Sequence, residues 1–117
     1  MLKISDAKLG GFGGAPKFPP ATGLSLLLHG YHRTKDPQTL TMVRTTLDAW
    51  RDGGIHDHIG GGFARYSTDE RWLVPHFEKM LTTTRCSRMS TSRLTRSPET
   101  SATVGRSWRR STIFLAR

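Results

Sequence analysis

The chain has 117 residues and a single cysteine, Cys86, so it can form no internal disulfide, no dithiol redox pair and no cysteine-rich zinc site. Long apolar runs are also missing. No stretch approaches the ~20 apolar residues that a bilayer requires, and residues 1 to 10 lack the apolar centre of a signal peptide, so a helical membrane span is not expected and the expected location is cytoplasmic. At 35% hydrophobic residues, the sequence offers little core material for so short a chain.

Acidic residues are scarce, but unevenly so. Residues 1 to 81 carry ten Lys or Arg against eight Asp or Glu, an ordinary balance for a globular domain. Residues 82 to 117 carry eight Arg, no Lys and a single acid, Glu99. That tail also has fifteen Ser or Thr in thirty-six positions, too few apolar groups to offset the entropy of ordering it. The expected organisation is therefore a foldable segment over residues 1 to 81 and a disordered Arg/Ser/Thr-rich tail over 82 to 117. A net charge of +9 raises the question of a polyanionic partner. The tail arginines are scattered among Ser and Thr without a recognition helix, so a small basic protein binding nucleic acid through its tail is the alternative reading, not the leading one.

Residues 10 to 20, GGFGGAPKFPP, cannot form a regular element and read as an ordered loop, with Phe12 and Phe18 anchoring it by burial. From Thr22, a plausible N-cap, Leu24, Leu27, Leu28 and Tyr31 recur at helical spacing. A second helix begins at Asp36-Pro37, a capping residue followed by proline at the first helical position. It carries Leu40, Val43, Leu47 and Trp50 on one stripe and ends at Asp52-Gly53-Gly54. The pair forms an αα-hairpin, expected to need further helices to bury its shared face. GGIHDHIGGG, residues 53 to 62, forms a second glycine-rich turn, and FARYSTDERWLVP suggests a short two-stranded excursion around Thr68 to Glu70. Pro75 is expected to open a third helix, with Phe77, Met80 and Leu81 beginning its apolar stripe, which stops at Thr82 without a cap.

GGFGGAPKFP and GGIHDHIGGGFARYSTDERWLVPHFEKML, which ends at Leu81, resemble the spermatogenesis-associated protein 20 family of thioredoxin-domain-containing proteins, a resemblance covering about residues 5 to 81. It implies an all-α fold, an αα-hairpin fragment of an (α/α)6 toroid with long Gly-rich loops, similar to six-hairpin glycosidases and N-acylglucosamine 2-epimerases. The thioredoxin-like domain would lie upstream and the remaining toroid helices downstream, so no thiol chemistry transfers to this chain. The resemblance also bears on the tail. Such proteins continue after HFEKML with something like YDNALL. Codons for that peptide, read one base late, spell Thr-Thr-Thr-Arg-Cys-Ser, the sequence of Thr82 to Ser87. The same back-shift through Arg88 to Thr95, with one permitted choice of degenerate codons, gives AHVYLEAY, a good amphipathic helix. A one-base slip near the Leu81 codon is therefore expected, with a genuine basic tail as the alternative.

The polar cluster over residues 56 to 79 contains His56, Asp57, His58, Arg65, Tyr66, Asp69, His76, Glu78 and Lys79. In epimerase-like relatives histidines act as general acid and base, which suits an imidazole whose pKa lies near working pH. The resemblance thus nominates His58 and His76 as catalytic, Arg65, Tyr66 and Asp69 as substrate-positioning, and Trp72 as a stacking surface for a pyranose. The competing reading is that these groups tie a long loop to the helix ends by hydrogen bonds and ion pairs. His56 and His58 lack a third ligand at diagnostic spacing, so no metal is expected. Neither glycine loop has a P-loop or dinucleotide-binding context, and no cofactor is expected. The implied ligand is a carbohydrate bound by the longer parent protein, with the fragment itself inactive.

Overall fold

A computed structural model describes residues 5 to 81 and 83 to 85. Two helices are built from local signals: α1, Ala21–Thr34, and α2, Pro37–Asp52. The α2 start is as expected. Asp36 Oδ1 accepts from Gln38 N at 3.1 Å and its Oδ2 from Thr39 Oγ1 at 2.9 Å, satisfying a donor that the first turn leaves open. Thr22, by contrast, does not cap α1. The Pro19-Pro20 pair starts the helix at Ala21, Leu24 N donates to Pro20 O at 2.8 Å, and no side chain caps the end. Lys35 closes α1 in the left-handed region, φ 54°, its N–H donating to Tyr31 O at 2.8 Å. Among the described residues no helix is long and apolar enough to cross a membrane.

The hairpin buries Leu24, Leu28, Val43, Leu47 and Trp50 along the expected stripes. What covers them is not a further helix. Ile55, Phe63, Ala64 and Trp72, all from the segment after α2, complete the core. Trp50 meets Trp72 edge-on at 5.9 Å between centroids and Phe63 at 6.4 Å. The expectation that the hairpin lacks partners for its shared face is thus corrected. A loop folded back on itself supplies them, burying Ile55, Phe63, Ala64 and Trp72 while Ile59, Val74 and Phe77 stay exposed.

Turns organise that loop. Asp57 N donates to Gly62 O and Gly61 N to Asp57 O, while Asp57 Oδ1 accepts from Ile59 N at 2.9 Å and Gly60 N at 2.8 Å. The excursion around Thr68 to Glu70 forms, but only as isolated bridges such as Ser67 to Pro75. Pro75 has no N–H, and Asp69 takes the N–H groups of Arg71, Leu73 and Val74 that a ladder would use. Residues 75 to 80 are not helical, which corrects the third helix: His76 N donates to Tyr66 O at 2.9 Å, Arg65 N to Glu78 O at 2.8 Å, and Ala64 bridges Lys79. Helical backbone begins instead at Leu81 and includes residues 83 to 85, across the expected boundary at Leu81. Thr84 Oγ1 there accepts from Phe63 N at 3.2 Å. The remaining tail expectations, disorder and the frame slip included, fall on residues outside those described.

The first glycine loop packs across the same core. Gly11 sits at φ +82°, and a Cβ there would lie 2.6 Å from Cζ2 of Trp72, so neither the backbone angle nor the space admits a side chain. Phe12 is only half-buried and Phe18 is 54% exposed, so the expected aromatic anchors do not hold this loop. Lys17 does, at 1% exposure: its Nζ donates to Asp6 Oδ2 at 2.8 Å and to Gly10 O at 2.9 Å, and lies 5.7 Å from the Trp72 ring centroid.

Candidate functional site

The nominated residues divide into a buried group and an exposed one. Trp72 belongs to the first, at 1% exposure. Its Nε1–H donates to Leu9 O at 2.9 Å and lies 3.3 Å from Gly10 O, its ring packs edge-on against Trp50, and Gly11 presses on its benzo edge. No face is left for a sugar, so the stacking role given to Trp72 is corrected: it is the keystone between the two glycine loops.

Asp69 is placed by the hairpin it closes. Oδ1 accepts from Ser67 Oγ at 2.5 Å, Val74 N at 2.9 Å and Leu73 N at 3.0 Å, and Oδ2 accepts from Arg71 N at 3.0 Å. Four donors on one carboxylate match the loop-tying reading. Burial raises its pKa, but the Ser67 hydroxyl and the N–H groups of Val74, Arg71 and Leu73 outweigh this and hold it at about 2, below the ordinary 3.8. A depressed folded pKa stabilises the fold above the unfolded value and loses that stabilisation as pH falls toward the folded one. Denaturation midpoints measured from pH 5 to pH 2 are therefore expected to fall more steeply for the wild type than for Asp69→Asn; parallel profiles would show that the carboxylate is not held this way.

The two nominated histidines stand in different surroundings. His58 is exposed and touches His56 edge-on at 4.6 Å. His56 in turn stacks on Phe63 at 4.9 Å, and its Nδ1–H donates to Arg51 O at 3.1 Å at the end of α2. Burial first, with the His58 charge adding to it, pushes the His56 pKa down against the opposing Arg51 hydrogen bond. Asp57 below them is held low chiefly by the Lys79 ammonium and then by the Gly60 and Ile59 N–H groups. His56 and Asp57 thus join the end of α2 to the glycine turn, and His58 rests on the His56 ring.

His76 occupies a second, more open cluster. Its ring stacks on Tyr66 at 4.8 Å and 17°, and Tyr66 stacks on Phe18 at 4.7 Å and 30°. Beside the column, Arg65 Nη1 lies 3.3 Å from Glu78 Oε2, and His76 Nδ1 lies 3.9 Å from the same oxygen. Arg65, His76 and Glu78 are each about half exposed. The extended pairing of residues 64 to 67 with 75 to 79 sets this register, since Tyr66 and His76 face one another across the Tyr66 O acceptor. Imidazole, phenol, guanidinium and carboxylate thus share one accessible surface, a set able to move a proton and to bind hydroxyls. Phe18 is the member that sequence reasoning placed in the core; its position between Lys17 and two prolines is the signal that could have marked it as held at the surface. Among the described residues, no group of three or more His, Cys, Asp or Glu side chains is placed to hold a metal ion.

No protein-family profile matches the chain. It is 51% identical over 80 residues to spermatogenesis-associated protein 20 of Homo sapiens, 65% of this chain and 10% of that protein. The Rattus norvegicus protein of the same name is 49% identical over 80 residues, with the same coverage. An uncharacterized Caenorhabditis elegans protein is 50% identical over 82 residues, 65% of this chain and 11% of its own length. The chain thus spans about a tenth of the curated relatives it matches, and its similarity to spermatogenesis-associated protein 20 supports the family that its two glycine-rich motifs suggest.

Proposed function

We propose that residues 5 to 81 form one wall of a carbohydrate pocket in a longer protein of this family, with a helical toroid like that of sugar epimerases and glycosidases around it. Spermatogenesis-associated protein 20 is far longer than the matched segment, which is the context such a wall needs. The observation that carries the reading is the accessible His76, Tyr66, Arg65 and Glu78 cluster, which combines a proton-transfer group with donors and acceptors for sugar hydroxyls. Leu73, Val74, Phe77 and Leu81 are exposed on the described segment, and additional toroid helices would cover such residues. His58, in its separate cluster, contributes to the pocket only if those helices bring substrate across both. On this reading turnover belongs to the longer protein and not to the 117-residue chain by itself.

The test is made on the longer protein containing this segment, with N-acetyl-D-glucosamine as substrate and epimerisation followed by proton exchange at the ring carbon. His76→Ala is expected to lower turnover by at least about 100-fold, the lower range for a positioned acid or base, with sugar affinity little changed. Wild-type turnover in that variant, or no epimerisation by the unmodified protein, would remove the assignment.

A further inference from the structure

We infer that Glu78 is a positioning residue for His76, taking the Nδ1–H of the imidazole so that Nε2 is the nitrogen left to accept a proton; the inference rests on the carbohydrate reading above and names the group that sets its proton-transfer residue. A neutral imidazole carries its one proton on either nitrogen. The hydrogen bond made by one of them decides which is left as the base.

The backbone fixes Glu78 on both sides of its own side chain. Its N–H donates to His76 O at 2.7 Å, folding the chain back onto His76, and its carbonyl accepts from Arg65 N at 2.8 Å across the hairpin. The imidazole plane is held separately, by the stack on Tyr66 at 4.8 Å and 17° and by His76 N donating to Tyr66 O. Between these two fixed points, Glu78 Oε2 lies 3.9 Å from His76 Nδ1. That is longer than a hydrogen bond, but the carboxylate is about half exposed and has room to rotate onto the ring. Arg65 Nη1 donates to the same oxygen at 3.3 Å, and a carboxylate has lone pairs enough for both donors.

The experiment reads the proton on the ring itself, by nuclear magnetic resonance of the 117-residue chain with imidazole nitrogens labelled, at about pH 9, where histidine is neutral. The His76 signals are those lost in His76→Ala. In the wild type the proton is expected mainly on Nδ1, the reverse of the ordinary preference of a free imidazole. Glu78→Ala should return it to Nε2, whereas Arg65→Ala, which removes only the competing donor, should keep it on Nδ1. Circular dichroism of each variant establishes that the fold is intact. In the longer protein, Glu78→Ala is expected to lower turnover about tenfold with sugar affinity little changed. A wild-type proton on Nε2, a tautomer indifferent to Glu78, or full turnover in Glu78→Ala overturns the inference, and the carbohydrate reading stands if His76→Ala still loses turnover. A tautomer that follows Glu78, together with full turnover in His76→Ala, supports the positioning and removes the carbohydrate reading.

Discussion

Replacing Trp72 with alanine is expected to cost about 3–5 kcal/mol, the range for truncating a buried aromatic. The indole fills the space between Trp50, the Gly11 backbone and the Lys17 ammonium, and its N–H bonds to carbonyls of the first glycine loop. Removal opens a cavity and takes the indole donor from the Leu9 carbonyl at the same time, while the Gly10 carbonyl keeps Lys17 Nζ. At roughly 0.05–0.15 kcal/mol per residue, 81 residues yield about 4–12 kcal/mol in total, so the loss consumes much or all of the stability. Urea denaturation followed by far-UV circular dichroism should show the wild type melting cooperatively and Trp72→Ala without a native baseline. A variant with an unchanged midpoint would mean that the two glycine loops do not meet on this ring.

Lys17→Ala is expected to cost about 2–3 kcal/mol, less than the loss of one member of a fully buried ion pair because Asp6 is 28% exposed and can be rehydrated. The Leu9 N–H first, and then the Lys17 ammonium, hold the Asp6 carboxyl below its ordinary range, and the first of these survives the substitution. The carbonyl of Gly10 loses its shorter donor, however, keeping only the Trp72 N–H at 3.3 Å, and loss of the aliphatic stem leaves a gap under Trp72. Lys17→Met, which restores the stem and not the charge, should recover part of the loss. Equal stability of the wild type and Lys17→Ala in urea would show that the loop is held by something else.

Either variant also bears on the exposed column, since Phe18 follows Lys17 directly and Ser67, its backbone partner, follows Tyr66. Loosening Lys17 should therefore broaden the Phe18 and Tyr66 signals before the helices melt. The link runs from a buried cation, through one pair of backbone hydrogen bonds, to the exposed Phe18 and Tyr66 rings.

Several features were legible because they are local. The α2 start needs only Asp36 and Pro37, the stripe from Val43 to Trp50 needs only helical spacing, and Gly53 ends the helix next to the Ala49 carbonyl it donates to. The α1 start lies two residues earlier than expected, with Pro20 rather than Thr22 at the N-cap, because the two prolines before it, not the Thr22 hydroxyl, set the first turn. The third helix failed for a different reason. Phe77, Met80 and Leu81 fit a helical stripe, but the N–H groups of His76 and Arg65 pair across a hairpin, and that pairing prevails over spacing in so short a segment. Of the nominated site, Arg65, Tyr66 and His76 come together, Asp69 serves its own turn, and His58 lies with His56.

By itself, the sequence determined the two helices, the Asp36 cap of the second and the stripe they share, because each depends on residues within a few positions of one another. The tertiary structure alone decided what covers that stripe, and which aromatic is buried and which exposed. Trp72 reaches carbonyls more than sixty positions away, and Lys17 pairs with Ser67 fifty positions on. Contacts closed over such loops are set by the shape of the whole core, and no periodicity or short motif encodes which of two aromatic rings that core will accept.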